Sequence, residues 1–385
     1  MSKFVSERVQ AIPPSGIRKF FDIAATMDDV ISLGIGEPDF TSPQPVIEAG
    51  IEALRRGETH YTSNNGLIEL RESVAQYVNN LYHIDYNPEN EILVSVGVSE
   101  ALYLVAGATL NPGDEVIIPE PCFVSYAPEV MLAGGVPIMI PTYFEEDFQV
   151  TAQDIEKAIT TKTKAILLGY PNNPTGAVLT RERLLEIAAV AEKHDLLIIS
   201  DEIYDRLTYG IDHTNFATLP NMRGRTVVLG GLSKSHAMTG WRVGFALAPA
   251  EIVAGMRKIH QYSIMSAPTV SQYAAMEALK HEDAVQEMRH EYDRRRKLLV
   301  GGFNELGLDC FEPRGAFYAF PRITVTGMDD NEFAEKLLME EKVAVVPGSA
   351  FGNSGNGFVR ACYATSYEEL EEALERLRSF MERHG

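Results

Sequence analysis

A lysine placed at the end of a buried strand loses hydration, which lowers its pKa and frees the amine to attack an aldehyde. Lys234 has that setting in Gly231-Leu-Ser-Lys-Ser-His-Ala-Met-Thr-Gly-Trp-Arg-Val-Gly244, a string that follows the apolar run Thr226–Leu229. Arg242, eight residues later, can fork onto a phosphate while the glycines around it allow close backbone approach. The turn Val96-Gly-Val-Ser-Glu-Ala101 joins an expected strand to an expected helix, so its backbone N–H groups and the helix dipole also suit a phosphate. Arg360, in Phe358-Val-Arg-Ala-Cys-Tyr-Ala-Thr, falls mid-strand, where an unpaired guanidinium is costly. A bidentate carboxylate ligand or a structural ion pair would each satisfy it.

Such residues need rigid supports. From about residue 92 short β-branched runs alternate with longer amphipathic stretches, the pattern of βαβ units around a mostly parallel sheet. The expected strands are Ile92–Val96, Glu115–Ile118, Val136–Ile140, Ala165–Leu168, Leu196–Ser200, Thr226–Leu229 and Val243–Leu247. The unbroken apolar run Leu196-Leu-Ile-Ile199 indicates a strand covered on both faces. Between strands lie helix patterns such as Arg181–His194, where Leu184, Leu185, Ala188, Ala189 and Val190 recur at helical spacing behind the N-cap Thr180. After about residue 285 a highly charged helix over Val285–Leu306, a strand signal in Gly315-Ala-Phe-Tyr-Ala-Phe320 and an amphipathic helix over Glu368–Met381 read as a second, α+β unit. The expected organisation is an N-terminal arm (1–45) packing with that unit, a large domain (46–285) and a small C-terminal domain (286–385). The connections Tyr170–Gly176 and Val346–Gly357 are short enough to build a site.

The Gly231–Gly244 string resembles the Schiff-base lysine signature of class I and II aminotransferases, the fold-type-I enzymes that use pyridoxal 5′-phosphate (PLP). Tyr170-Pro-Asn-Asn-Pro-Thr-Gly176 is similar to the family's Asn-Pro-x-Gly turn, and Asp201-Glu-Ile-Tyr204 to its Asp-x-x-Tyr pair, in the family's order and spacing. The resemblance covers nearly the whole chain and implies an α/β fold: a seven-stranded, mostly parallel sheet flanked by helices, plus a smaller α+β domain. It implies that Lys234 holds PLP and that Asp201 faces the pyridine nitrogen, where a buried carboxylate keeps the ring protonated and able to draw electrons from a substrate Cα. It further assigns Tyr204 and Asn173 to the cofactor's phenolic oxygen, Val98 and Ser99 to the phosphate cup, and Phe123 to stacking on the ring. Arg360 then takes the substrate α-carboxylate, and Asn173 and the backbone of Gly36, in Leu33-Gly-Ile-Gly-Glu-Pro-Asp39, lie beside the same substrate. Tyr61, in His60-Tyr-Thr, resembles the tyrosine that reaches across a homodimer to the neighbouring subunit's cofactor phosphate. Taken singly, Asp201 could cap a helix, Asn173 fill a turn before Pro174, and Tyr204 or Phe123 sit in a core.

Two departures from the family pattern bear on substrate and cofactor. Many relatives carry a phosphate-binding serine three residues before the lysine, where this chain has Gly231, so the phosphate depends more on Ser99, Arg242, Tyr61 and backbone amides. The branch acting on acidic substrates often has a lysine in the phosphate-cup loop, where this chain has Ser99. The expected reaction is therefore ping-pong transfer from an L-amino acid with an aromatic or other neutral side chain to a 2-oxo acid such as 2-oxoglutarate. The alternatives are an aspartate- or prephenate-type aminotransferase and a PLP-dependent carbon–sulfur β-lyase, since fold does not settle reaction type.

Composition narrows the remaining classes. With 45% hydrophobic and 23% charged residues the chain can bury a large core. A net charge of −20 argues against nucleic acid or an anionic membrane surface as partner. Cys122, Cys310 and Cys362 form no C-x-x-C pair, so neither a disulfide framework nor a metal site is expected, and a cytoplasmic setting is the simplest. No apolar run approaches the ~20 residues that span a bilayer. The ~90 residues before the first core strand lack the basic recognition helix of a PLP-sensing regulator, and no G-x-G-x-x-G opens a βα unit as an NAD-binding fold would require.

Overall fold

The structure, a computed structural model, describes residues 4–13 and 27–385. The rest of the expected N-terminal arm, residues 1–3 and 14–26, lies outside the described residues. In chain order the strands are β1 (Ile31–Ser32), β2 (Ile92–Ser95), β3 (Glu115–Glu120), β4 (Val136–Pro141), β5 (Thr163–Gly169), β6 (Leu197–Asp201), β7 (Thr226–Gly231), β8 (Gly244–Leu247), β9 (Tyr318–Ala319), β10 (Val343–Ala344), β11 (Val346–Pro347) and β12 (Val359–Cys362). All seven strands expected from the sequence form, and they join one sheet in the order β2-β8-β7-β6-β5-β3-β4. Only β8 runs against its neighbours. Its amino end therefore lies at the same edge as the carboxyl ends of the other six, the edge where open α/β sheets bind ligands.

Alternation along the strands explains why the sheet is buried on both sides. Val116 and Ile118 enter one apolar cluster with Leu102, Val105, Val253 and Met256 from two helices, while Ile117 between them enters another with Leu184 and Ile187. Ile199 and Ile198 divide in the same way. Such strands read as continuous apolar runs because neither face meets water. The helix Arg181–Lys193 starts at Thr180, whose hydroxyl accepts the Arg183 N–H.

A smaller antiparallel sheet, β11-β12-β9, and the parallel pair β1-β10 pack with the helices Glu282–Glu305, Asp330–Glu341 and Tyr367–His384 around a third cluster that holds Leu299, Phe303, Phe333 and Phe380. Ile31 and Leu33 belong to that cluster and bond to Lys342 and Ala344 through their N–H groups. The last helix opens with a capping box between Ser366 and Glu369. The Gly315–Phe320 run is less regular than its sequence suggests. Ala316 adopts φ 58°, which interrupts an extended strand, so Gly315 forms only an isolated bridge to Thr208 while Tyr318 and Ala319 pair with β12.

Ile199→Ala tests the central packing, since Ile199 is fully buried in β6 two residues before Asp201. The expected cost is about 2–5 kcal/mol, read as a lower urea midpoint. Met339→Ala, at an exposed position, should leave that midpoint within ~0.5 kcal/mol of wild type.

Candidate active site

Every strand of the central sheet that ends at the carboxyl edge near β6 delivers a polar or aromatic residue into one cavity of about 360 Å³. Val98 and Ser99 follow β2, Phe123 follows β3, Asn173 follows β5, Asp201 ends β6, and Tyr204 lies just beyond it. Lys234 comes three residues after β7, and Arg242 precedes β8. Gly36 and Arg360 close the cavity from the smaller sheet's side. Of the expected site residues only Tyr61 does not line it; that ring is 78% exposed.

Lys234 and Asp201 set the chemistry. Burial lowers the Lys234 pKa to about 8, and the amine donates to the Gly36 carbonyl at 2.7 Å. Asp201 is not beyond its strand, as the sequence suggests, but its last residue, and it is 6% exposed. Burial raises its pKa to about 6, opposed by the Tyr126 hydroxyl, which donates to Oδ2 at 2.9 Å, and by the Ile203 N–H, which donates to Oδ1 at 3.2 Å. An incoming cationic N–H at Asp201 would gain a charge-assisted bond and hold the carboxyl ionised.

On the opposite wall, Arg360 is 3% exposed. Its Nη1 donates to Asn173 Oδ1 at 2.9 Å and its Nη2 to the Gly34 carbonyl, while Nε is buried without a partner. No acidic side chain pairs with it among the described residues, so the ion-pair alternative is not what the structure forms. The loop that carries Gly36 is held from behind by Arg295, which grips both oxygens of Asp39 at 2.9–3.0 Å. Tyr204 turns its hydroxyl to that of Tyr318, 2.8 Å away.

The remaining corner is built for an anion. The helix Gly97–Thr109 points its first turn into the cavity at Val98 and Ser99, where N–H groups have no partner within the helix. Glu100 accepts the Val96 N–H at 2.6 Å and is itself met by the fully buried His260 at 2.7 Å, which fixes the turn. Gly97 has φ +74°, and a Cβ there would stand 2.6 Å from Arg242 Nη2, so the arginine lies against a bare backbone. Arg242 is exposed and, among the described residues, donates only to the carbonyls of Thr239 and Val96, at 3.0 and 3.4 Å. A Cβ at Gly231 would stand 3.2–3.3 Å from Ile203, Val98 and the Gly244 backbone, a tight fit for any side chain. Phe123 lines the same cavity, edge-on to Tyr126.

Tyr126, Tyr318, Glu37 and His260 escaped the sequence reading. Tyr126 opens a helix and Tyr318 opens a two-residue strand, positions that carry no local signal of what lies across the sheet. The assembled groups can condense an amine with an aldehyde, move a proton at Lys234 Nζ, and orient a carboxylate at Arg360.

Comparison with known proteins follows the same lines. The family described as aminotransferase class I and II matches residues 28–377. The Bacillus subtilis (strain 168) protein YugH is 54% identical over 383 residues, 99% of each chain. The aspartate aminotransferase of Pyrococcus abyssi is 51% identical over 98% of each chain. The crystal structure of an aromatic aminotransferase from Pyrococcus horikoshii OT3 superposes with a TM-score of 0.91 at 48% identity, over 94% of this chain and 99% of that one.

The Lys234 environment predicts a distinctive reactivity. Only the neutral amine is nucleophilic, so labelling of Lys234 by a water-soluble aldehyde with reductant, followed by peptide mass mapping, should rise through pH of about 8 and then level off.

Proposed function

The chain belongs to the class I and II aminotransferases, and from that premise we propose that it binds PLP at Lys234 and moves the amino group of an L-amino acid with an aromatic or other neutral side chain to a 2-oxo acid such as 2-oxoglutarate. The observation that carries this reading is the pairing, in one cavity, of an amine whose pKa is depressed and a carboxyl whose pKa is raised. The residues fit the cofactor and its substrate's carboxylate on three further counts. Arg360 keeps a buried donor unused, Arg242 has donors bonded only to carbonyls, and the first turn at Val98 and Ser99 offers free N–H groups beside it.

When bound, PLP supplies a protonated ring that accepts electron density from the substrate Cα. Asp201 keeps the ring nitrogen's proton in place, and Tyr126 holds Asp201 in position for it. Tyr204 and Asn173 stand where they could donate to the phenolic oxygen, and Phe123 would pack on the ring. Ser99, Val98 and Arg242 grip the phosphate. Arg360 orients the substrate carboxylate, with the Gly36 backbone and Asn173 beside it, so that the Cα–H bond faces Lys234. Lys234 Nζ takes that proton and later returns one, acting as base and then acid in two half-reactions.

The lining favours a neutral side chain. Its cations are Lys234, Arg242 and Arg360, each engaged in a role above, and Ser99 stands where a lysine would serve a second carboxylate. Glu37, at the mouth, adds negative charge, while Leu102 and Ile203 offer apolar surface. We further propose a cytoplasmic homodimer whose Tyr61 completes the neighbouring subunit's phosphate site. Tyr61 is exposed, as are Tyr262, Ile264 and Met265, and Asn64 ties the two segments together by donating to the Met265 carbonyl at 2.7 Å. Three free, buried cysteines suit a reducing compartment, and among the described residues no helix is long and apolar enough to cross a membrane.

Reconstitution with PLP should give a visible band that phenylalanine or tyrosine bleaches and 2-oxoglutarate restores. The kcat/KM for phenylalanine should exceed that for aspartate by at least about tenfold. Lys234→Ala should lower turnover by at least ~10²-fold; wild-type turnover in that variant defeats the assignment. Release of pyruvate from a cysteine conjugate without any 2-oxo acid would move the reading to a lyase. Mixing inactive Tyr61 and Lys234 variants should regenerate activity, and no such recovery is expected if each site is self-contained.

A further inference from the structure

Tyr318 touches both halves of the cavity. Its hydroxyl lies 2.8 Å from that of Tyr204, and its ring carries the Arg360 guanidinium, whose Cζ stands 4.6 Å from the ring centroid. The strand register produces this: Tyr318 pairs with Cys362, and Arg360 lies two residues back along β12 on the same face. The hydroxyl also dictates the opposite loop, because a Cβ at Gly36 would come within 2.6 Å of it, against 3.4 and 3.5 Å for the nearest ring carbons.

We propose that Tyr318 is a positioning residue that couples the cofactor end of the site to the substrate-carboxylate end. Its hydroxyl donates to Tyr204, and its ring sets the plane of Arg360. Tyr204 has a single proton. When that proton points to an anionic oxygen of a bound cofactor, the Tyr318 hydroxyl is left as donor to Tyr204, and a hydroxyl that accepts one bond donates the next more strongly. Gly36 is glycine because that same hydroxyl occupies the space of a side chain. The ionisable groups around Tyr318 are Tyr204, Arg360, Cys362 and, beyond Tyr204, Lys234. None of them can supply the missing donor to Tyr204 if the Tyr318 hydroxyl is removed and the Tyr204 proton is engaged, save Arg360, which is bonded to Asn173 and Gly34.

The inference rests on the PLP reading and is tested on the reconstituted protein by absorbance and by binding of 3-phenylpropanoate, a carboxylate that cannot react. Tyr318→Phe keeps the ring and loses the hydroxyl, so the pH midpoint of the bound chromophore should rise by roughly half a unit while 3-phenylpropanoate binds within about twofold of wild type. Tyr318→Leu loses both, and should also weaken that binding about fivefold. Gly36→Ala should weaken it about tenfold, and the double variant Gly36→Ala/Tyr318→Phe should recover most of the loss, because the clash is with the hydroxyl alone. An unmoved midpoint in Tyr318→Phe, or a double variant no better than Gly36→Ala, overturns the role of Tyr318 and leaves the PLP reading standing. A wild-type protein that takes up no PLP overturns both.

Discussion

Lys234 and Asp201 are stripped of water in the same cavity, and most of the architecture follows from keeping them so. Desolvation disfavours the charged form of each, which is why the amine falls to about 8 and the carboxyl climbs to about 6. Neither shift survives in a chain that exposes the carboxyl edge to bulk water. The sheet must therefore be covered on both faces, and the edge itself must be roofed by β9, β12 and the Gly36 loop. The roof is fastened at a distance from the chemistry, by Arg295 on Asp39 and by Phe40 edge-on to Tyr292 at 5.4 Å.

Partial satisfaction is the second feature of the cavity. Asp201 receives two donors, enough to hold its orientation and too few to cancel its desolvation. Arg360 is bonded to an amide oxygen and a carbonyl and to no carboxylate, so its charge stays uncompensated in a buried wall. Breaking or lacking a partner for a buried charge costs several kcal/mol, and such a cost is tolerated where a ligand returns it. The cavity thus holds an uncompensated cation at Arg360 and a desolvated carboxyl at Asp201, at its two ends.

The sequence made this site legible to an uneven degree. The strands were readable because burial on both faces forces apolar runs such as Leu196–Ile199, and residues at strand ends inherit the chemistry of the carboxyl edge. Lys234, Asp201, Arg242 and Asn173 stood out because the strings that carry them follow those strands and together resemble the family's motifs. Tyr126 and Tyr318 were not, since what matters about each is a partner 75 and 114 residues away in the chain. Local patterning has no access to such pairings. The kink at Ala316 was hidden too, because alanine rarely takes φ 58° and the neighbouring residues Phe317 and Tyr318 are good strand formers. Tyr61 shows the opposite limit: its motif was readable, yet a single chain leaves the ring in solvent, and any work it does needs a surface that another chain provides.

A net charge of −20 and a preference for anionic ligands look contradictory until distance is considered. Surface charges more than about 10 Å away are largely screened at ordinary ionic strength, whereas Arg360, Arg242 and the helix start at Val98 act at contact inside a cavity with low-dielectric walls. A field of that sign draws no anion in from a distance, so what can hold one inside is contact with Arg360, Arg242 and the helix start. Glu37 at the mouth extends the same logic, since a second carboxylate on the substrate meets a negative charge there and no unassigned cation within. On the proposed neutral-substrate reading, selectivity would rest as much on what the wall does not neutralise as on what it binds.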